Sequence, residues 1–93
     1  MSVLIRFAPS ARNTTEQYDE TVRRLQDQGD FPPDGLEYHV CFLSPDGNLR
    51  VSEIWDSRDQ LDKFGERLRP VLADAGIDPG EPEILDIHNI IRR

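Results

Sequence analysis

Residues 36–56 read LEYHVCFLSPDGNLRVSEIWD, and this stretch decides the fold. Two runs rich in β-branched and aromatic residues flank the breaker cluster SPDGN, a pattern typical of a β-hairpin. The dipeptide Asp46-Gly47 accepts the positive φ of a type I′ turn. This turn predicts a register in which Tyr38 lies directly across from Trp55, and in which His39 points to the other face of the sheet from Tyr38. The face shared by the two strands then carries Tyr38, Val40, Phe42, Val51, Glu53 and Trp55.

The segments on either side of this hairpin each predict one strand and one helix. Upstream, residues 3–7 form a mostly apolar run, and Thr14 and Gln17 have the capping-box spacing of a helix start. Downstream, Ser57 predicts the N-cap of a second helix that ends at Gly76, and residues 83–91 read as the last strand. Pro70 lies inside the second helix and predicts a kink or a split there; the alternative is a helix that ends before it.

The element order β-α-β-β-α-β predicts a single domain over residues 1–93. Its fold class is α+β, ferredoxin-like, with a four-stranded antiparallel sheet and two helices on one face. The last strand is apolar on both sides, so the uncovered sheet face predicts a homodimer that packs sheet against sheet. A monomer whose C-terminal tail folds over that face is the alternative.

Composition excludes several classes of function. The chain has 18 acidic and 11 basic residues and a net charge of −7, so we expect no nucleic-acid partner. No apolar stretch is long enough to cross a bilayer, and the N-terminus reads as a strand rather than a signal peptide. One cysteine, Cys41, fits a reducing cytoplasm. Two histidines and one cysteine at scattered positions predict no metal site.

The sequence resembles the dimeric α/β-barrel superfamily, and within it the small proteins akin to antibiotic-biosynthesis monooxygenases. The resemblance rests on the element order, on Trp55-Asp56-Ser57 at the end of the third strand and on the LDKF run at 61–64. It implies a cavity between sheet and helices in which Trp55 helps to bind an aromatic molecule, and an oxidation by oxygen with no cofactor. Haem-degrading members place a histidine where this chain has Gly65, which disfavours haem degradation.

Five residues are the candidates for a site in such a cavity. Glu53 and His88 are the candidate proton-transfer groups, because a buried carboxylate and an imidazole both titrate near neutral pH. Tyr38, Trp55 and Phe64 are the candidate ligand-binding residues, since aromatic rings suit an aromatic or hydrophobic molecule. The structural alternatives are an ion pair between Glu53 and an arginine such as Arg6, a position of Glu53 at a solvent-filled cavity mouth, and simple core packing of the rings. Three hypotheses therefore remain: a cofactor-independent monooxygenase, a non-catalytic binding protein, and a structural subunit.

Overall fold

The elements of the computed structural model follow the predicted order. It describes residues 1–9 and 11–93. The elements are β1 (Val3–Phe7), α1 (Thr15–Asp27), β2 (Leu36–Leu43), β3 (Leu49–Trp55), α2 (Arg58–Ala75) and β4 (Glu83–Asp86). The strands pair antiparallel in the order β2-β3-β1-β4. The predicted ferredoxin-like α+β fold is confirmed.

Local capping chemistry sets the helix ends. Thr14 and Gln17 form a reciprocal capping box at the start of α1, and the Ser57 hydroxyl accepts a hydrogen bond from the backbone N–H of Gln60 at the start of α2. Gly76 ends α2 in the left-handed conformation with φ +75°. The predicted split at Pro70 is wrong: α2 is one helix from Arg58 to Ala75.

The core lies between the two helices and one face of the sheet. Its centre is Trp55, which is fully buried. The buried apolar cluster consists of Val3, Ile5, Leu25, Trp55, Leu61, Phe64 and Val71. Because this cluster draws on β1, β3, α1 and α2, both helices cover the same sheet face.

The turn of the β2–β3 hairpin differs from the sequence prediction. A two-residue Asp46-Gly47 loop would require Pro45 to donate a backbone hydrogen bond, and proline has no N–H. The chain instead turns at Pro45-Asp46: the Gly47 N–H donates to the Ser44 carbonyl at 2.8 Å, and the Ser44 N–H donates to the Asn48 carbonyl at 2.9 Å. Gly47 has φ +82°, so the loop has three residues and its last residue is left-handed.

This turn shifts the register by one residue and reverses which side chains face the helices. His39 pairs with Glu53, and Tyr38 pairs with Ile54 rather than with Trp55. The predicted faces of Tyr38 and His39 are therefore wrong, because a one-residue slip moves every side chain of a strand to the other face. An irregularity between Leu36 and Tyr38 shifts the register once more, so that Leu36 lies opposite Trp55 at the far end of the hairpin.

The sheet face remote from the helices, which we call the open face, is partly apolar. Tyr38, Phe42 and Leu85 on this face are 50%, 43% and 39% exposed. The predicted last strand is too long: β4 ends at Asp86, which lies opposite Val3, the first residue of β1, and one more hydrogen bond, from the Ile87 N–H to the Ser2 carbonyl at 3.2 Å, follows the pairing. Beyond it the chain runs back to β2, where Arg92 forms an ion pair with Glu37.

In the described part of the chain, neither helix has the length and apolar character needed to cross a membrane.

Candidate active site

Four side chains on the helix-facing side form one hydrogen-bonded chain. The hydroxyl of Tyr18 on α1 lies 2.6 Å from Nε2 of His39 on β2. Nδ1 of His39 lies 2.6 Å from Oε2 of Glu53 on β3. The indole N–H of Trp55 donates to Oε1 of Glu53 at 3.0 Å. We call Tyr18, His39, Glu53 and Trp55 the relay.

The hydrogen bonds of the relay are all donated in the direction of Glu53: Tyr18 donates to His39, and His39 and Trp55 donate to Glu53. An indole N–H only donates, so Oε1 of Glu53 is an acceptor. With Glu53 ionised, Nδ1 of His39 carries the proton that is donated to Oε2, and Nε2 is free to accept from Tyr18. In this arrangement the imidazole is neutral, and both of its nitrogens and both oxygens of Glu53 have a hydrogen-bond partner. A proton added at Nε2 would make an imidazolium ion whose positive charge is stabilised by the Glu53 carboxylate.

The Glu53 and His39 side chains of the relay are largely buried. Glu53 is 5% exposed, and the His39 side chain is 18% exposed. Burial, with smaller contributions from Cys41 and Glu53, raises the pKa of Tyr18 to about 12. Tyr18 therefore remains a neutral phenol at physiological pH, which is the form that donates to His39.

Aromatic rings fix the His39 imidazole from two sides. The Tyr18 ring stacks on it with centroids 5.9 Å apart, and the Phe31 ring meets it edge-on at 5.4 Å. Phe64 joins this group to the core, since its ring lies 6.2 Å from Phe31 and 5.6 Å from Trp55. Such packing holds the imidazole in one orientation, which a proton-transfer group requires.

A cavity of about 100 Å³ lies beside the relay, between α1, α2 and the sheet. Tyr18, His39 and Glu53 contribute to its wall. The rest of the wall is largely apolar and includes Phe7, Leu25, Phe31, Val51, Phe64, Leu68 and Leu72. An apolar cavity of roughly 150 Å³ accommodates benzene, so this smaller space excludes a polycyclic molecule and holds at most one aromatic ring.

A wider groove of about 460 Å³ adjoins the cavity between α2 and the β1–β4 edge. Glu53, Phe64 and Leu68 line both spaces, so the groove leads to the relay. Gly65, at the position where the haem-degrading proteins would have histidine, forms part of the groove wall.

The structure brings together only some of the predicted site residues. Glu53 and Phe64 both line the cavity. Glu53 does not bind Arg6, which pairs with Glu83 at 3.5 Å, so that alternative is wrong.

The other three predicted site residues lie away from the cavity. Trp55 is fully buried and reaches the site only through its bond to Glu53. Tyr38 lies on the open face and cannot face the cavity, because Pro45 shifts the register. His88 is exposed beyond the end of β4. In the described residues no three side chains of His, Cys, Asp or Glu come together to hold a metal ion.

Sequence reasoning missed two members of the relay, His39 and Tyr18. His39 was placed on the wrong face by the turn assignment alone. Tyr18 belongs to the apolar stripe of α1, and its position one turn before Val22 and two before Leu25 indicates a helix-to-sheet contact. Which sheet residue it meets depends on the hairpin register, so the correct turn would have indicated the pair.

Solved structures of other proteins have the same fold as this chain. Rv0793 from Mycobacterium tuberculosis superposes with a TM-score of 0.59 at 22% identity, over 98% of this chain and 97% of that one. SnoaB, a cofactor-independent oxygenase from Streptomyces nogalater, superposes with a TM-score of 0.60 at 15% identity, over 99% and 96%. A candidate antibiotic biosynthesis monooxygenase from Deinococcus radiodurans gives 0.62 at 12% identity, over 100% and 98%.

No family sequence model matches the chain, and no curated protein sequence matches it. The structural matches span nearly the whole of each chain, and they show a fold like that of the antibiotic-biosynthesis-monooxygenase-like proteins. At identities below 25% they establish the fold alone, since one fold serves many activities.

Proposed function

We propose that this chain is a cofactor-independent monooxygenase that binds a hydroxylated aromatic molecule of one ring in the cavity beside the relay. The observation that carries the proposal is the position of His39, fixed between Glu53 and Tyr18 at the cavity wall. The similarity of fold to a cofactor-independent oxygenase supports the reaction class.

In this proposal the relay deprotonates the bound molecule. A ring hydroxyl gives its proton to the Tyr18 oxygen while the Tyr18 proton passes to Nε2 of His39, 2.6 Å away. Glu53 stabilises the imidazolium that results. The high pKa of Tyr18 favours this concerted transfer, because a free tyrosinate in the dry site is unstable.

The electron-rich ring anion then reacts with molecular oxygen. With benzene-1,4-diol as substrate, one molecule of the diol and one of dioxygen give one molecule of hydroxybenzoquinone and one of water. One oxygen atom enters the ring as the new carbon–oxygen bond, and the other leaves as water with the two hydrogens that the substrate loses. The substrate supplies all four electrons, so the step needs no external reductant.

Oxygen uptake with benzene-1,4-diol tests this proposal. We expect His39→Asn to lower the rate by about 100-fold or more, since a positioned acid–base group contributes roughly 10²–10⁴. His88→Asn is the matched control, because it removes the other histidine of the chain at an exposed position remote from the relay. Circular dichroism confirms that both variants are folded. Equal rates for folded His39→Asn and wild type would refute the proposal, as would a wild-type rate no faster than autoxidation.

A non-catalytic binding protein is the second candidate, and one observation favours it. Nε2 of His39 is already hydrogen-bonded to Tyr18, so among the described residues that line the cavity no imidazole nitrogen is left as an unpaired base. Trp55, the single tryptophan, binds Glu53 and packs on Phe64, so its fluorescence reports ligand binding. Quenching by benzene-1,4-diol without oxygen uptake would favour this candidate over the enzyme.

The proposal includes assembly as a homodimer through the open face. Tyr38, Phe42 and Leu85 lie there together, at 50%, 43% and 39% exposure. Burial of apolar surface gains about 25 cal/mol per Å², so a second copy is the natural cover for such a patch. The proposal also includes a cytoplasmic location, because the one thiol, Cys41, is free.

A further inference from the structure

One cation of α2 lies on the groove wall without a carboxylate partner. No carboxylate of the described residues is paired with Arg69 within 4 Å, whereas Arg58 pairs with Asp62 and Arg67 pairs with Asp30. The Arg69 side chain is exposed at the groove wall, in a chain whose acidic residues outnumber the basic ones by 18 to 11. It is available to an anion from solution.

The guanidinium of Arg69 lies over Gly65. A Cβ atom built at Gly65 has one neighbour within 4 Å, Nη1 of Arg69 at 3.8 Å. The Arg69 side chain therefore folds back along the helix over Gly65, and both residues line the groove. A glycine inside a helix costs about 1 kcal/mol relative to alanine, so its presence here suits a role in shaping this wall.

The groove and the cavity are adjacent. Glu53, Phe64 and Leu68 line both of them. A substituent of a ring beside His39 has to pass these three residues to reach Gly65 and Arg69.

The charges on the groove wall restrict what this substituent can be. Arg58 and Asp62 neutralise each other. Glu66 also lines the groove, and in the described residues it has no ion pair within 4 Å. Arg69 attracts one carboxylate, and the carboxylates of Glu53 and Glu66 on the same wall disfavour a second one, so the wall suits at most a monoanion.

We infer that the ligand is a hydroxylated aromatic acid, with its ring in the cavity and its single carboxylate on Arg69. This inference rests on the proposed function, because it takes the cavity beside the relay as the site of the ring. It adds the chemical class of the ligand and names Arg69 as the residue that determines specificity.

Anaerobic calorimetry with two probe pairs tests this inference. The probes are 2,5-dihydroxyphenylacetate and 3-(2,5-dihydroxyphenyl)propanoate, each compared with its uncharged amide, so that ring and chain length are matched. We expect at least one acid to bind about tenfold more tightly than its amide in the wild type. In Arg69→Gln the acid and the amide should bind equally.

Lys63→Gln is the matched control, because it removes one positive charge from the same helix at a residue that lines neither space. It should leave the preference for the acid unchanged. Gly65→Leu fills the groove wall without meeting backbone, so it should weaken acid binding while benzene-1,4-diol still binds.

The two proposals fail in different ways. If benzene-1,4-diol binds and is oxidised but acids and amides bind alike, or if Arg69→Gln keeps the preference, the ligand class is wrong and the proposed function stands. If an acid binds through Arg69 but no variant of the relay affects oxygen uptake, the enzyme proposal is wrong. If none of the diol, the acids and the amides binds, both are overturned.

Discussion

Tyr18 is the residue whose environment is most easily measured. The chain has two tyrosines, so Tyr38→Phe leaves Tyr18 as the one phenol. Its absorbance at 295 nm should titrate near pH 12 rather than at the ordinary value of 10.0, because burial disfavours the tyrosinate. The folded state holds this proton more tightly than the unfolded state, so the stabilisation is present below pH 10 and is lost as the pH rises to 12. Ionisation at pH 10 in a protein still folded by circular dichroism would contradict the buried relay.

Glu53 accepts hydrogen bonds from two buried donors, and a neutral amide cannot replace it. In Glu53→Gln the amide oxygen can accept from the Trp55 N–H, but the amide nitrogen then meets Nδ1 of His39, which accepts only in the other tautomer, where Nε2 carries the proton and no longer accepts from Tyr18. We expect the free energy of unfolding in urea to fall by about 1–3 kcal/mol. The control Glu83→Gln removes an exposed ion pair with Arg6 and should change stability by less than about 1 kcal/mol. Equal effects of the two substitutions would show that Glu53 is not the shared acceptor.

At the scale of elements, two glycines of α2 should respond to alanine with opposite signs. Gly65 has ordinary helical backbone and room for a methyl group, so Gly65→Ala should stabilise the protein by about 0.5–1 kcal/mol. Gly76 ends the helix at φ +75°, where a Cβ atom is strained, so Gly76→Ala should destabilise it by about 1–2 kcal/mol. Urea unfolding of the pair measures both. The same sign for both would contradict the assigned end of α2.

Element order and helix ends were readable from the sequence because their causes are local. Thr14, Ser57 and Gly76 act on backbone groups within a few residues of themselves. The hairpin register could not be predicted from Asp46-Gly47 alone, because two different turns, over residues 44–47 and over residues 45–48, compete in this segment. Proline at position 45 decides between them through the hydrogen bond that it cannot donate.

The site was less predictable than the fold for the same reason. Glu53 and Phe64 were identified because burial follows from the apolar pattern around them. The Tyr18–His39 contact joins residues 21 positions apart, and it exists only in the register that Pro45 imposes. A single turn thus determines which histidine becomes the candidate base.

At the scale of the whole molecule, the open face predicts the oligomeric state. Phe42→Glu places a carboxylate opposite Arg50, so the monomer fold should be retained while the apolar patch is lost. Sedimentation velocity should then show a dimer for the wild type and a monomer for the variant. Leu43→Glu is the matched control, since Leu43 is 60% exposed and lies on the other side of the same strand. A wild-type monomer, or a Phe42→Glu dimer, would contradict the proposed assembly.

His39 joins Tyr18 to Glu53 between the sheet and the helices, because the hairpin register differs by one residue from the predicted one. NMR of protein labelled with ¹⁵N in histidine measures this most directly. We expect a slowly exchanging Nδ1 proton on His39 that disappears in Glu53→Gln, and nuclear Overhauser contacts from the His39 ring to the rings of Tyr18 and Phe31. A rapidly exchanging His39 ring with contacts to residues of the open face would show that the register, and with it the relay, is wrong.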